Sequence, residues 1–475
     1  MSVLMKKYLT VADRITKLID SGVLKSRDKI PSIREMSVQM NLSMMTILNG
    51  YRLLEEQGII ASHPQSGYYV RPENMRFSHS AISNFIESDT KIKILTDHVK
   101  ISPETEKLLE DSMREDIIPL GIGFPYSDEK INEELSLHLS RRIRENPGKN
   151  NRYNFGRGNN ALREIFSRKM IESFCETSSD EIIITSGATP GLLSALLAVT
   201  KTGDSVAVES PGYHGFFGLI AKLGLKALEI QTNSVSGFDV ETFEKTVKKK
   251  KISAVILSPN FSNPTGAKMS DPAKERLACI SAQYGIPVIE DDSYGDLFFA
   301  SKPRAVKSYN PDNTIYVSSL SKSIAPGYKT GWVAGGIYQK DIHKILNTAY
   351  SVPSAFIQSG LASFMSKSFY SHSMKKLRRI YRENISAYQA FFSEHIPECE
   401  VSNPEGGFFL WIKAPEKTDS RNTAYLAVKN GFTIAPGIIF SARSNFANYF
   451  RLNSACLFSE KTEKALKIFA ELIRK

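Results

Sequence analysis

The stretch SSLSKSIAPGYKTGW, from Ser318 to Trp332, holds two lysines among small, hydroxyl-bearing and turn-forming residues. Lys322 follows Ser319 and Ser321 and precedes a Pro-Gly turn. At such a position the end of a strand can present an amine to a ligand instead of to bulk water. Lys329, seven residues further on, is a second cation directed at the same place. The pattern predicts a ligand-binding site where a strand ends.

Around this stretch, short apolar runs alternate with helix-like segments. The strand-like runs are 182–185, 206–209, 254–258, 287–290 and 314–318, and the helix-like segments are 191–199, 213–223 and 271–284. This alternation predicts an α/β sheet covered on both faces. Ligand-binding residues are then expected on the loops at the strand ends.

Two motifs at these strand ends suit a flat, phosphorylated ligand. SGATPGL follows a strand and opens a helix, so the backbone N–H groups of Gly187 and Ala188 and the hydroxyls of Ser186 and Thr189 can hold a phosphate. ESPGYHGF places Tyr213 just beyond a strand, where its ring can stack on a flat ligand. Each motif alone is weak evidence.

Two further motifs add an amide and a carboxylate. PNFSNPTG places Asn263 before a turn, and EDDSYGDL places Asp291 at the end of a buried strand with Tyr294 three residues later. A phosphate cradle, a stacking ring, a buried carboxylate and a lysine, in this order, suit the cofactor pyridoxal 5′-phosphate (PLP). No metal site is predicted.

From about residue 117 to 475 the chain resembles the fold-type I aminotransferases. The resemblance implies a large mixed-sheet part, about 117–350, and a smaller α+β part, about 351–475. It also implies that Lys322 binds the cofactor covalently and that Asp291 pairs with the pyridine nitrogen. Asn263 and Tyr294 would donate hydrogen bonds to the phenolic oxygen, and Tyr213 would stack on the ring.

The same resemblance assigns the remaining residues of the site. Ser319, Ser321 and Lys329 are counted among the cofactor-binding residues, although the family usually has Arg in place of Lys329. Tyr153, in RYNFGRGNNALR, would reach the phosphate of the partner subunit, which implies a homodimer with shared active sites. In YFRLNSAC, Arg451 would hold the carboxylate of an amino acid.

Gly123 is also predicted to contact the substrate. Two other readings of the large region are rejected. GRGNNA, residues 156–161, imitates a dinucleotide fingerprint, but no apolar strand precedes it. The serines around Lys322 could suggest nucleophilic catalysis, but no suitably placed histidine supports it.

The amino-terminal residues predict a helical module. Thr10 and Asp13 resemble a capping box that begins a first helix, which Gly22 ends. Ser32, with Glu35 three residues later, predicts a cap for a short helix over 33–40, and Ser43 a cap for a third helix. Two short helices joined by so brief a turn form a helix-turn-helix.

Two β-prone pieces follow at 59–62 and 68–70 and predict a hairpin, or wing. The stretch IPSIREMSVQMNLSMMTILNGYRLLEEQGIIASHPQSGYYV resembles the winged helix-turn-helix of the GntR family of bacterial repressors. The resemblance implies that Arg34 contacts phosphate, that Ser43 and Thr46 begin the recognition helix, and that Gly67 lets the wing approach the minor groove. Ser32 is also counted as DNA-binding.

One residue departs from the GntR pattern, because Met44 stands where an Arg usually follows the capping Ser. A thymine methyl group is an alternative partner at that position. A winged helix joined to an aminotransferase-like region resembles the MocR-type subgroup of GntR regulators. The predicted boundaries are 1–72 for the DNA-binding domain, 73–116 for a linker with some helix, and 117–475 for the PLP-binding domain.

Composition is compatible with these assignments but does not decide between them. The chain has 475 residues, a formal net charge of +11 and four cysteines without a CxxC pair. Its longest apolar runs are far shorter than the roughly 20 residues that span a bilayer. A cytoplasmic protein without membrane contact is therefore expected.

Two functions remain open from the sequence. In the first, the chain is a transcriptional regulator that binds an operator in double-stranded DNA and senses an amino acid or amine through its PLP domain. In the second, it is a working PLP-dependent aminotransferase that also carries a DNA-binding module. The fusion favours the first, because a winged helix adds nothing to catalysis, while the complete set of site residues permits the second.

Overall fold

The structure is a computed structural model that describes residues 2–56, 59–63, 67–71, 96–98, 103–145, 147–150, 156–349 and 352–474. It divides into two compact units, Met1–Ile86 and Glu87–Lys475. The first unit has the helices α1 (Ser2–Asp20), α2 (Ile33–Met40) and α3 (Met44–Glu56), followed by the antiparallel strands β1 (Ile60–His63) and β2 (Gly67–Val70). This is the predicted winged helix-turn-helix.

The cap of α2 is formed by the predicted residues. Ser32 Oγ accepts a hydrogen bond from the Glu35 backbone N–H at 3.3 Å, and the Glu35 carboxylate accepts one from the Ser32 N–H at 2.7 Å. This reciprocal pair satisfies two N–H groups that have no partner within the helix. The prediction of this capping box is confirmed.

The predicted start of the first helix is wrong. Helix α1 begins at Ser2 and not near Thr10, which lies in its middle. Residues before Thr10, such as Met5 and Lys6, are good helix formers, so the helix extends through them. Val11 and Ile15 of this helix are fully buried.

The core of the first unit links the helices to the wing. Ile47, Tyr51 and Leu54 of α3 are fully buried. The Tyr51 hydroxyl donates to the Pro31 carbonyl at 2.6 Å, and its ring packs edge-on against Tyr68 of β2 with centroids 5.2 Å apart. One aromatic side chain therefore holds the turn before α2 and the wing together.

The second unit is built on a mixed nine-stranded sheet in the order β3-β6-β5-β8-β9-β10-β11-β4, with β7 paired to β6. Neighbours from β6 to β10 are parallel, whereas β11 is antiparallel to both β10 and β4. The strands are β3 (Thr96–His98), β4 (Ile182–Thr185), β5 (Ser205–Ser210), β6 (Lys226–Asn233), β7 (Gly237–Phe238), β8 (Ala254–Leu257), β9 (Val288–Asp291), β10 (Thr314–Ser319) and β11 (Gly331–Ala334).

A smaller antiparallel sheet near the carboxyl terminus has the order β12-β13-β15-β14. Its strands are β12 (Glu400–Val401), β13 (Phe409–Lys413), β14 (Ala435–Pro436) and β15 (Tyr449–Asn453). The α-helices of the second unit are α4 (Pro103–Ser112), α5 (Glu129–Glu145), α6 (Pro147–Asn150), α7 (Asn160–Glu172), α8 (Ala188–Val199), α9 (His214–Lys222), α10 (Val240–Val247), α11 (Asp271–Tyr284), α12 (Gln339–Ala349), α13 (Ala355–Met365), α14 (Ser368–His395), α15 (Ser420–Lys429) and α16 (Glu460–Arg474).

Both faces of the main sheet are covered, as the alternation of runs predicts. Alternate residues of β4 belong to different hydrophobic clusters: Ile183 packs with Leu192 of α8, and Ile184 with Phe166 of α7. All four residues of β4 are buried or nearly so, because helices lie on each side of the strand. The polar residues of the site therefore come from the strand ends.

Part of the predicted linker belongs to the second unit. Within 73–116, strand β3 pairs antiparallel with β6, placing Thr96 opposite Leu228, and α4 follows. A three-residue strand carries too little periodicity to be found by its pattern. Among the described helices, none is both long and apolar enough to cross a bilayer.

Candidate functional site

Lys322 lies where the opening stretch predicts it, just beyond the end of β10. A single 3₁₀ turn, Leu320–Lys322, follows the strand, and Ser319 Oγ accepts the Ser321 N–H at 3.1 Å. Lys322 Nζ donates to the Gly123 carbonyl at 2.9 Å. Burial and, after it, the charge of Arg451 lower the pKa of Lys322 to about 8, against the opposing charge of Asp291. The amine is therefore much closer to neutrality than an exposed lysine.

Asp291 ends β9, the parallel neighbour of β10. Its side chain is 5% exposed, and Oδ1 accepts hydrogen bonds from the Ser293 N–H at 3.1 Å and the Ser293 hydroxyl at 2.5 Å. Burial raises the pKa of Asp291 to about 6, although both Ser293 bonds and the charge of Lys322 oppose the shift. A cation bound beside this carboxylate would keep it ionised.

Arg451 reaches the site from β15 of the smaller sheet. It is 2% exposed, with Nη1 donating to Asn263 Oδ1 at 2.8 Å and Nη2 to the Gly121 carbonyl. The guanidinium lies 4.4 Å from the ring centroid of Phe409. Within the described residues its buried Nε has no hydrogen-bond partner. Because a buried charged donor without a partner is costly, this atom points to an anionic ligand.

Two tyrosines line the same pocket. Tyr294 is 4% exposed, shares a side-chain hydrogen bond with Asn263, and has Lys322 Nζ 5.9 Å from its ring centroid. Tyr213 packs edge-on against Phe216 at 5.3 Å, and burial raises its pKa. The charge of Asp291 also raises the pKa of both tyrosine hydroxyls. The predicted ring-binding residues therefore lie close together.

The predicted phosphate cradle is the amino terminus of α8. Gly187 has a φ of 100° and precedes the helix, and its carbonyl accepts the Thr185 hydroxyl at 2.7 Å. Ala188 opens the helix, and Thr189 is exposed. Ser186 stands between β4 and this turn. Free N–H groups at the start of a twelve-residue helix suit a phosphate.

Lys329 is exposed, with a φ of 44°, after the short turn Pro326–Tyr328. Its charge still lowers the pKa of Lys322, so the two lysines of the opening stretch act on one region. Tyr153, predicted to reach a partner's phosphate, lies outside the described residues.

Gly123 has a spatial reason to be glycine. A Cβ built on it would lie 2.9 Å from Phe409 Cζ and 3.5 Å from Lys322 Nζ. A side chain here would press on the ring that packs against Arg451 and crowd the lysine amine. The residue predicted to contact the substrate therefore borders the amine.

Sequence reasoning missed His214, the first residue of α9. Its ring centroid lies 6.2 Å from that of Phe440, which in turn lies 5.1 Å from the Arg451 guanidinium. Burial, followed by the charges of Arg451 and Lys322, lowers the pKa of His214 to about 3. A neutral imidazole therefore stands beside the two cations, and its only sequence signal was its position next to Tyr213.

In the first unit the predicted DNA-contacting residues are exposed, with the exception of Thr46. Ser32, Arg34 and Gly67 are exposed, and Gly67 has a φ of 104° at the start of β2. Ser43 and Thr46 share a hydroxyl–hydroxyl hydrogen bond of 2.8 Å, and the Thr46 N–H donates to Ser43 Oγ at 3.2 Å. Thr46 is 6% exposed, so these two residues serve the cap of α3.

Comparison with protein families agrees with both parts of this architecture. Residues 115–469 match the family described as aminotransferase class I and II, and residues 7–70 match the bacterial regulatory proteins of the gntR family. The chain belongs to the aminotransferase class I and II family. Its fusion to a GntR helix-turn-helix is the MocR architecture, as predicted, and PLP is the cofactor of this family.

Relatives and solved structures resemble the chain over most of its length. It is 33% identical to the HTH-type transcriptional regulator YjiR of Escherichia coli K12 over 475 residues, 99% of each chain, and 31% identical to YdcR of the same strain, again over 99% of each. The kynurenine aminotransferase of Pyrococcus horikoshii, solved with PMP, is 26% identical with a TM-score of 0.72, covering 83% of this chain and 98% of that one.

The residues of the pocket fit PLP. The lysine amine of lowered pKa suits the aldehyde of PLP, and the buried carboxylate suits its pyridine nitrogen. The helix amino terminus suits its phosphate. The Nε of Arg451, which has no hydrogen-bond partner in the described part of the chain, remains for a second, anionic group. Lys322, Asp291, Tyr213 and the start of α8 would hold the cofactor.

Proposed function

We propose that the chain is a transcriptional regulator that binds an operator in double-stranded DNA and responds to an amino acid or amine. The observation that carries this is the pairing, in one chain, of a winged helix-turn-helix with a pocket beside Lys322 in which Arg451 keeps a buried donor that no described residue satisfies. The names of the relatives YjiR and YdcR as HTH-type regulators support the first half.

Each end of an α-amino acid has a counterpart in the pocket. When bound, PLP supplies a conjugated ring that accepts electrons from the amino compound attached to it. Lys322, with a pKa of about 8, is neutral often enough near neutral pH to bind the cofactor and to release it to an incoming amine. Asp291 would hold the protonated pyridine nitrogen, whose charge favours the ionised carboxylate.

Arg451 would bind the effector carboxylate. Its guanidinium is held in place by Asn263 and Gly121 and by the ring of Phe409, so little side-chain entropy is lost on binding. A carboxylate would accept a hydrogen bond from the Nε, which no described residue does, and would replace part of the hydration that the guanidinium loses on burial. The pocket therefore favours amino acids over simple amines.

We also infer that the chain acts as a cytoplasmic homodimer with shared active sites. A dimer places two recognition helices on two half-sites, so operator symmetry would mirror protein symmetry. We expect Tyr153 of each subunit to contact the PLP phosphate in the active site of the other subunit.

The test is a titration of the PLP-bound full-length chain with a panel of amino acids and amines, with DNA binding measured in parallel. Loss of the absorbance of the lysine-bound cofactor identifies the effector, and the same compound should then change the affinity for the chain's own upstream DNA. A compound that changes the spectrum but leaves DNA affinity unaltered would contradict effector sensing.

A working aminotransferase is the second candidate, favoured by the convergence of Lys322, Asp291, Tyr294, Asn263 and Arg451 in one pocket. It would convert the effector and a 2-oxo acid over many turnovers. Sustained release of a 2-oxo acid, with more product than protein, would establish this function. A single stoichiometric conversion would be consistent with sensing alone.

A further inference from the structure

The recognition helix α3 begins with two exposed methionines. Met44 is 54% exposed and Met45 is 62% exposed. The hydroxyls beside them are hydrogen-bonded to each other: Thr46 is 6% exposed, and Ser43, which is exposed, caps the helix. The first turn of α3 therefore presents two thioether chains, beside a serine hydroxyl that already takes part in the helix cap.

These methionines continue into a polar stripe. Met45, Asn49 and Arg52 are four and seven positions apart on α3 and all exposed, which places them on one face of the helix. Arg34 of α2 is also exposed. Residues 1–71 contain ten lysines and arginines against six aspartates and glutamates. The apolar turn thus lies within a basic module, which suits a polyanion better than a second copy of the same basic surface.

Among the base edges in the major groove, thymine alone offers a methyl group, and the adenine paired with it offers a donor and an acceptor that match an Asn side chain. Methionine is unbranched and polarizable, so it adapts to an irregular apolar contact. Guanine would instead present two acceptors, which a methionine leaves unsatisfied.

We propose that α3 reads A·T base pairs in the major groove, with Met44 and Met45 against thymine methyl groups and Asn49 on adenine. The proposal rests on the proposed function, since it specifies what the DNA-binding unit recognises. It predicts an operator whose half-sites are defined by thymines at fixed positions, with their 5-methyl groups as determinants.

The experiment first enriches binding sites from random double-stranded DNA with the PLP-bound full-length protein. Deoxyuridine then replaces thymidine, one position at a time, which removes only the methyl group. Fluorescence anisotropy at fixed salt measures the affinity. Each contacted thymine should lose about fourfold in affinity on replacement, the effect of one buried methyl group.

The variant Met44→Ala/Met45→Ala should bind the thymine and uracil sites with equal affinity, while Met113→Ala, which truncates a methionine 71% exposed in the second unit, should keep the discrimination. Enriched sites without fixed thymines, or thymine preference that survives in the double variant, would overturn the proposal. So would a change of oligomeric state in the double variant, which would make the methionines a protein contact. Failure to enrich any DNA would instead contradict the DNA-binding function.

Discussion

Helix α3, the proposed recognition helix, and the cofactor pocket hold their side chains in opposite environments. Met45 and Arg52 on α3 are exposed to solvent, whereas Arg451 is 2% exposed and Asp291 is 5% exposed. In the pocket, burial lowers the pKa of Lys322 to about 8 and raises that of Asp291 to about 6. The surface proposed to bind DNA offers exposed side chains that can contact bases and phosphates directly, whereas the pocket changes the ionisation of its own groups.

This difference in burial indicates which single substitutions should have large effects on binding and stability. Removing one partner from a buried charged group leaves the rest desolvated and unpaired, which is costly. Removing an exposed group mainly returns its surroundings to water. Substitutions in the pocket should therefore have large effects, and those on the amino-terminal unit graded ones.

The largest effect is expected from Lys322→Ala, which should abolish the covalent attachment of PLP because it removes the amine that would form the bond. The measurement is borohydride reduction followed by peptide mapping. Lys201→Ala, which removes an exposed lysine, is the matched control and should retain the cofactor. Fixation of PLP at the same peptide in the Lys322→Ala protein would contradict the assignment.

Arg451→Met should weaken binding of an amino acid effector by about 100-fold, the value of a charge-assisted contact of about 3 kcal/mol. Titration of the PLP spectrum with an amino acid and with its decarboxylated amine measures this. The amine, which lacks the carboxylate, should lose little affinity. Equal losses for both compounds would indicate a role in the fold and not in carboxylate binding.

Lys329→Ala should weaken PLP binding by about 1.5–3 kcal/mol, the range for a hydrogen bond to a charged group. Lys329→Arg should bind at least as well, since its planar fork suits a phosphate. Cofactor release on dilution measures both. Ala and Arg would adopt the same left-handed backbone conformation at this position, so backbone strain affects both variants alike. An unchanged release rate in the Ala protein would show that Lys329 is not a phosphate ligand.

Covalent capture of PLP by the cofactor-free protein should accelerate about tenfold per pH unit up to about pH 8 and then level off, because only the neutral amine reacts. Asp291→Asn should move this midpoint lower and Arg451→Met should move it higher, since their charges act in opposite directions. A midpoint near that of a free lysine would contradict the burial argument.

The same pKa shift affects stability. Since the pKa of Lys322 is lower in the native than in the unfolded chain, its contribution to the free energy of unfolding increases as pH rises from about 8 to about 10.5.

The smallest effect is expected in the amino-terminal unit. Ser32→Ala removes the cap of α2 and should lower the opening free energy of that helix by about 1 kcal/mol. Hydrogen exchange of the α2 amides in the full-length protein should then speed up about fivefold. Ser26→Ala replaces an exposed serine that caps no helix and should leave the rates unchanged. If Ser32→Ala also reduced amide protection throughout the second unit, its effect would not be confined to the amino-terminal unit, and the contrast between the two regions would be contradicted.

Features that depend on neighbours in the chain were predictable from the amino-acid sequence. The cap at Ser32, the helix Asp271–Tyr284, the strand Ile182–Thr185 and the position of Lys322 after β10 all rest on residues within a few places of one another. Helix capping, turn geometry and the alternation of apolar runs are local, so they leave local signals. The order of motifs was enough to name the cofactor.

Tertiary structure alone decided what those residues face. Arg451 meets Asn263 across 188 positions, and Lys322 meets Gly123 across 199. Strand β3 was found only through its pairing with β6, and His214 only through its position near Arg451. Burial and charge at a site are sums over groups brought together by the fold, and no short stretch of sequence contains that sum. The sequence therefore determined which chemical groups this protein carries, and the fold determined their ionisation and their partners.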